Sequence, residues 1–143
     1  MIHYSEEDIE DLDKLFRINL INSCTGYKSA NLIGTKSDEG IPNVAIFSSI
    51  VHLGSNPPLL GFFLRPTEIF PRNTYTNIKE NGVYTINSIY KKIINDAHHT
   101  SAKYDKNISE FSVTNLKEEY IEDIYAPFVK NSPIKIEMKF LEE

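Results

Sequence analysis

The feature that most constrains this chain is residues 31–63, NLIGTKSDEGIPNVAIFSSIVHLGSNPPLLGFF, a stretch built almost wholly from strand-forming residues and turn punctuation. Residues 31–35 suit a short strand. Ser37-Asp38-Glu39-Gly40 supplies polar and glycine turn chemistry, and Pro42 delays the return strand to Asn43. From there the pattern predicts one long strand over 43–53. Val44, Ile46, Ser48, Ile50 and His52 would share one face, and Asn43, Ala45, Phe47, Ser49, Val51 and Leu53 the other. Both faces are mostly apolar, as in a barrel or sandwich strand covered from outside by a helix or another subunit. Ser48-Ser49 is its one polar interruption. Gly54-Ser55-Asn56-Pro57-Pro58 should end the strand, since neither proline donates to a ladder, and the next strand is expected over 59–64.

A chain of 143 residues can bury a sizeable core around that stretch as a single domain, 1–143. The net charge of -5 disfavours nucleic acid as a partner. The lone Cys24 makes no internal disulfide, no basic residue closely flanks it, and the reading is of an inert thiol in a reducing compartment. No apolar run approaches the roughly 20 residues of a membrane span, and the acidic N-terminus is unlike a signal peptide. A cytoplasmic protein without membrane contact is expected.

In chain order, Ser5 and Asp8 form a capping-box pattern, and Ile9, Leu12, Leu15 and Phe16 fall at helical spacing, predicting a packing helix. Residues 20–28 are turn-rich. After Arg65-Pro66-Thr67 the segment Phe70-Pro71-Arg72-Asn73-Thr74 leads into a helix to about Glu80, with Asn73 or Thr74 as cap, Tyr75 and Ile78 on one face and Gly82 as stop. Residues 83–87 read as a strand. Residues 90–99 read as a helix with Ile93, Ile94 and Ala97 inward. Residues 100–116 show no period and are expected as an ordered loop or lid. Tyr120, Ile121, Ile124 and Tyr125 suggest a helical turn or two. Ile134, Ile136, Met138 and Phe140 alternate with Lys135, Glu137 and Lys139 as a final strand. An edge left open there, with the two-faced 43–53 strand, predicts a homodimer.

Chemistry is sparse. His98 and His99 sit about 100° apart on a helix and cannot chelate one ion together, so no metal is expected. No GxGxxG, Walker or GxSxG motif occurs, Ser48-Ser49 lacks an adjacent base, and no catalytic residue is named. What remains is anion binding: Arg72, Asn73 and Thr74 stand at a helix start, where backbone N–H groups and a guanidinium suit a phosphate. An ordinary capped helix with a surface arginine fits the same residues. Hydrogen bonds to nearby backbone would equally account for the serines.

The run GTKSDEGIPNVAIFSSIVHLGSNPPLLGF, then RNTYTNIKENGVYTIN, then TSAKYDKNISEF, resembles the flavin reductase-like family of FMN-binding split barrels. That family has a glycine turn, an N-x-A-x-F-S-S strand, a proline-proline exit, an (R/K)-(D/N)-T helix start, a strand ending in asparagine, and a T-S-A-x-Y loop leading to S-E-F. All occur here in order over residues 31–111 and more loosely to 143. Val51 stands where many members carry asparagine, and the chain ends before the family's last strands. The resemblance implies a mainly β fold, a Greek-key split β-barrel with a few short flanking helices, FMN at its rim, and a homodimer whose interface helps form each flavin site. By motif, Ser48 and Ser49 would face the ribityl chain or phosphate, and Arg72 and Thr74 the phosphate. Asn43, His52 and Asn56 would lie near the isoalloxazine edge, with Ser101 and Tyr104 in a lid. The implied activity is an oxidoreductase passing electrons from NAD(P)H to flavin or another acceptor, and the alternative is a non-catalytic flavin-binding or electron-carrier protein. The flavin would carry the chemistry, which accounts for the absent acid-base constellation.

Overall fold

The computed structural model describes residues 3–65 and 72–143. The N-terminus begins with the expected capping box: Asp8 N–H donates to Ser5 Oγ at 3.1 Å and Ser5 N–H to Asp8 Oδ2 at 2.8 Å. The single helix predicted through Phe16 is instead two, α1 (Glu6–Asp11) and α2 (Lys14–Ser23). Leu12 is extended, and Asp13 starts the second helix by accepting from the N–H groups of Leu15 at 3.0 Å and Phe16 at 3.1 Å. Neither helix has a buried residue; Leu15 is 70% and Phe16 50% exposed, so the packing role expected of them is not filled within this chain. The stretch over 20–28 is helical to Ser23, and Cys24 is exposed.

The framework is an antiparallel sheet ordered β2-β1-β5-β8: β1 (Asn31–Lys36), β2 (Pro42–Phe47), β5 (Val83–Ser88) and β8 (Lys135–Lys139). The β1–β2 turn closes where Gly40 takes φ +84° and donates to the Ser37 carbonyl at 2.9 Å. Pro42 itself pairs with Lys36, one residue earlier than expected. Gly34 has a different reason to be glycine: a Cβ there would strike the Pro127 carbonyl and the Thr85 hydroxyl, which are hydrogen-bonded to each other at 2.6 Å.

The long strand expected over 43–53 is broken. β2 ends at Phe47 and β3 (Ile50–Ser55) starts a separate hairpin with β4 (Pro58–Phe62). Val44 and Ile46 join one core cluster, Phe47 and Ile50 the other, so the alternation slips at Ser48-Ser49 and the five-residue face predicted from Val44 to His52 does not exist. The physical cause is Ser49, whose hydroxyl donates to Phe63 O at 2.9 Å and accepts from Phe63 N–H at 3.3 Å, turning the chain from one sheet into the next. The prolines turn the chain back rather than merely ending it: Ser55 pairs with Pro58 around a cis Asn56–Pro57 bond. The link through Pro66 and Thr67 to Phe70 and Pro71 lies outside the described residues.

Successive residues of β1 feed opposite cores. Leu32 packs with Val44, Ala97, Phe111, Leu116 and Val129; Ile33 packs with Ile78, Tyr84 and Ile86, bordered by Phe47 and Phe62. Helix α3 (Asn73–Asn81) brings Ile78 to the second core and stops at Gly82, φ +70°. The helix predicted over 90–99 is a 3-10 turn (Lys91–Ile93) followed by α4 (Ile94–His99). Ala97 is buried, while Ile94 is 52% exposed rather than inward. Within the expected loop a short helix, α5 (Glu110–Val113), inserts Phe111 into the first core. The turns around Tyr120 are not helical: β6 (Glu118–Glu119) pairs with β7 (Phe128–Val129). Tyr120 and Tyr125 instead take the Lys36 ammonium at 4.8 Å from each ring centroid, and Tyr125 O–H donates to Ser37 O at 2.6 Å.

Among the described residues helix and strand are about equally extensive, so the antiparallel sheets that were expected are joined by more helix than a few short flanking turns. Among the described residues the sheets do not close into one barrel, because the β3–β4 hairpin pairs only with itself and β2 and β8 are sheet edges. No helix among them is long and apolar enough to cross a membrane.

Candidate functional site

The break at Ser48-Ser49, the start of α3 and the loop after α4 surround a cleft of about 1700 Å³. Its most distinctive wall is the N-terminus of α3. Arg72 occupies the cap position in an extended conformation, with no side-chain cap; the expected caps Asn73 and Thr74 lie inside the helix. The first-turn N–H groups of any helix lack intrahelical partners, and at α3 they meet no side-chain acceptor among the described residues. Among the described residues the Arg72 guanidinium has no ion pair or hydrogen bond.

Beneath that helix end lies a buried polar network in which the sequence reading named Asn43 and Thr74 but not Thr35, Asn77 or Glu110. Thr35, Asn43, Thr74, Asn77 and Glu110 are each at most 5% exposed. Asn77 Nδ2 donates to Thr35 Oγ1 at 3.0 Å, and Asn43 lies 3.2 Å from Thr74 Oγ1. Glu110 Oε2 accepts from Val44 N–H at 3.0 Å. Burial pushes the Glu110 carboxyl above the usual carboxylate range, offset in part by the N–H groups of Val44 and Glu110 itself. The available signals were small: Thr35 is polar amid a buried strand, and Asn77 follows Thr74 by one helical turn.

The remaining predicted residues divide. Ser48 is exposed on the cleft rim; Ser49 also lines it, with its hydroxyl committed to Phe63. Ser101 and Tyr104 line it from the loop after α4. The Ser101 hydroxyl donates to His98 O at 2.7 Å, and the Tyr104 hydroxyl is hydrogen-bonded to His99 Nε2 at 3.1 Å, pinning the loop to α4. Asn43, Arg72 and Thr74 line the floor. His52 and Asn56 are not brought to the cleft: they lie exposed on the β3–β4 hairpin, where a bulge between His52 and Gly54 shifts the register. No group of His, Cys, Asp and Glu among the described residues is arranged to hold a metal.

The family model described as "Flavin reductase like domain" matches residues 27–143. The chain belongs to that family. The domain is 47% identical to a candidate flavin reductase with a split barrel domain from Shewanella frigidimarina NCIMB 400, at a TM-score of 0.91 over 99% of this chain and 70% of that one. It is 25% identical to the flavoredoxin of Desulfovibrio vulgaris (Miyazaki F), at a TM-score of 0.71 over 80% of this chain and 61% of the other. The uncharacterized protein YwrF of Bacillus subtilis (strain 168) is 30% identical over 107 residues, 75% of this chain; the chain spans 52% of that relative's length.

Proposed function

We propose that the domain binds FMN in the cleft and serves as an oxidoreductase that passes electrons from NAD(P)H to the flavin or on to another acceptor. The observation that carries this is the uncapped start of α3 with the Arg72 guanidinium, unpaired among the described residues, on a cleft that Phe47 and Phe63 also line. Backbone N–H groups and a fork of guanidinium donors match a dianionic phosphate, and the aromatic walls match a planar ring system. In this assignment Arg72 and the α3 N–H groups hold the phosphate, Ser48 faces the ribityl chain, and Ser101 and Tyr104 flank the opening. A flavin bound there would supply the hydride- and electron-transfer chemistry. The chain's part is to orient it and shield it from water.

The test is direct. The purified protein should release FMN on denaturation, and Arg72→Ala should weaken FMN binding roughly tenfold to a hundredfold, the value of a charge-assisted bidentate contact. Unchanged affinity in that variant sinks the phosphate assignment. The likeness to flavoredoxin supports a second reading, a flavin-binding electron carrier that never engages a nicotinamide. Rapid bleaching of bound flavin by NADH or NADPH separates the two: bleaching supports the reductase, and its absence supports the carrier.

A further inference from the structure

The buried network beneath α3 fixes the direction in which its hydrogens point. Only one orientation of the Asn43 side-chain amide satisfies its neighbours: Nδ2 donates to Glu110 Oε2 at 3.3 Å, and Oδ1 accepts from Thr74 Oγ1 at 3.2 Å and from Val44 N–H at 3.3 Å. The same Glu110 oxygen accepts from Val44 N–H at 3.0 Å. Because Oε2 remains an acceptor whether or not the other carboxyl oxygen carries a proton, this orientation holds in either charge state. The consequence falls on Thr74. A hydroxyl has one hydrogen and two lone pairs, and the Thr74 hydrogen is committed inward to Asn43 Oδ1.

Thr74 is 5% exposed, yet it lines the cleft. It offers that cleft lone pairs only. Its surroundings offer the opposite: Thr74 lies in the first turn of α3, whose N–H groups meet no side-chain acceptor among the described residues, two positions after Arg72. A single acceptor thus stands among donors at the helix start. A fully ionised phosphate is itself acceptor-only, so it is matched by the guanidinium and the N–H groups and not by an oxygen that has no hydrogen left to give.

We propose that Thr74 is a specificity-determining residue that accepts a hydrogen bond from a hydroxyl of the flavin's ribityl chain, next to the phosphate held by Arg72 and the α3 N–H groups. This deepens the reading that the cleft binds FMN and rests on it. The ribityl chain carries a hydroxyl on the carbon beside the one that bears the phosphate, so donor and anion arrive close together, as an acceptor and free N–H groups within one helical turn require. The phosphate partner expected of Thr74 by motif is thereby replaced by a neutral one.

The experiment compares three ligands that share the flavin ring: FMN, riboflavin, which lacks the phosphate, and lumiflavin, which has a methyl group in place of the whole ribityl chain. Their affinities are measured by fluorescence titration at about pH 8, where the phosphate carries its second charge, in the wild type, Thr74→Val, Thr74→Ala, Thr74→Ser and Arg72→Ala. Both Thr74→Val and Thr74→Ala remove the hydroxyl, and the second leaves no methyl against Asn43 should the first fold poorly. Each should weaken FMN and riboflavin by the same factor, roughly threefold to tenfold, the value of a neutral hydrogen bond, and leave lumiflavin as it is in the wild type. Thr74→Ser keeps the hydroxyl and should keep both affinities, while Arg72→Ala should weaken FMN alone. A loss confined to FMN in the hydroxyl-free variants assigns Thr74 to the phosphate and overturns the inference. An equal loss for all three ligands makes Thr74 a support of the cleft floor and overturns it too, as does unchanged binding of all three. If the wild type binds none of the flavins, the FMN reading itself has failed and the role of Thr74 falls with it; if the wild type prefers FMN through Arg72 while the Thr74 variants behave otherwise, only the role of Thr74 is lost.

Discussion

Two helix starts in this molecule answer the same physical problem in opposite ways. The N-terminal arm closes both of its helices with side chains, Ser5 and Asp8 at α1 and Asp13 at α2, yet buries nothing against the rest of the chain. Helix α3 has no side-chain cap at all, yet Thr74, Asn77 and Ile78 are buried beneath it. Capping stabilises a helix that must stand largely on its own turns, whereas packing stabilises one that can leave its N–H groups exposed. An uncapped end held by tertiary contacts is therefore available for a ligand, and a capped end is not.

The largest effect expected from this contrast is on stability. Ile78→Ala removes a side chain 2% exposed in the second core and should cost about 2 to 5 kcal/mol in urea unfolding. Leu15→Ala, at a position 70% exposed, should cost less than about 0.5 kcal/mol. A large loss for Leu15→Ala would break the comparison by showing that α2 is covered, and light scattering would then report whether a second copy covers it.

A smaller effect of mixed sign is expected at the open end itself. Arg72→Asp supplies the missing cap and should stabilise the flavin-free protein by about 1 kcal/mol, while abolishing measurable FMN binding through charge repulsion. If thermal melting of the flavin-free variant shows no gain, the α3 terminus is already satisfied by another group, and the contrast with α1 and α2 weakens.

The buried carboxyl gives a pH dependence whose sign follows from its direction. Glu110 binds its proton more tightly when folded than when unfolded, so folding stability attributable to it falls as pH rises from the ordinary carboxylate range through its raised value. Glu110→Gln should flatten that fall in denaturation midpoints measured across the range; an unchanged slope would mean the carboxyl is solvated in solution. The smallest effect should come from the caps of the arm. Ser5→Ala or Asp13→Ala should lower helical signal by circular dichroism while leaving the main unfolding midpoint unchanged, since neither helix contributes a buried residue to either core.

Features whose cause lies within a few residues were legible in the sequence. The Ser5/Asp8 box, the Gly40 turn, the Gly82 stop, and strands β1, β5 and β8 each follow from spacing and side-chain chemistry along one short segment. The motifs of residues 31–111 carried the family, because they preserve a pattern independent of how their backbones are finally paired. What the tertiary structure alone decided depends on partners far apart in the chain. Ser49 breaks a strand-like run only because Phe63 returns to meet it, and residues 110–113 form a helix in an aperiodic stretch where Phe111 fills a core built by other segments. His52 and Asn56 stand away from the cleft because the prolines fold β4 back onto β3. Glu110 reaches the cleft through a contact with Val44, 66 residues away in the chain, and Thr35 meets Asn77 across 42 residues. Side-chain type and spacing specify local geometry, but a hydrogen bond between distant residues exists only once burial has brought both donors and acceptors out of water together.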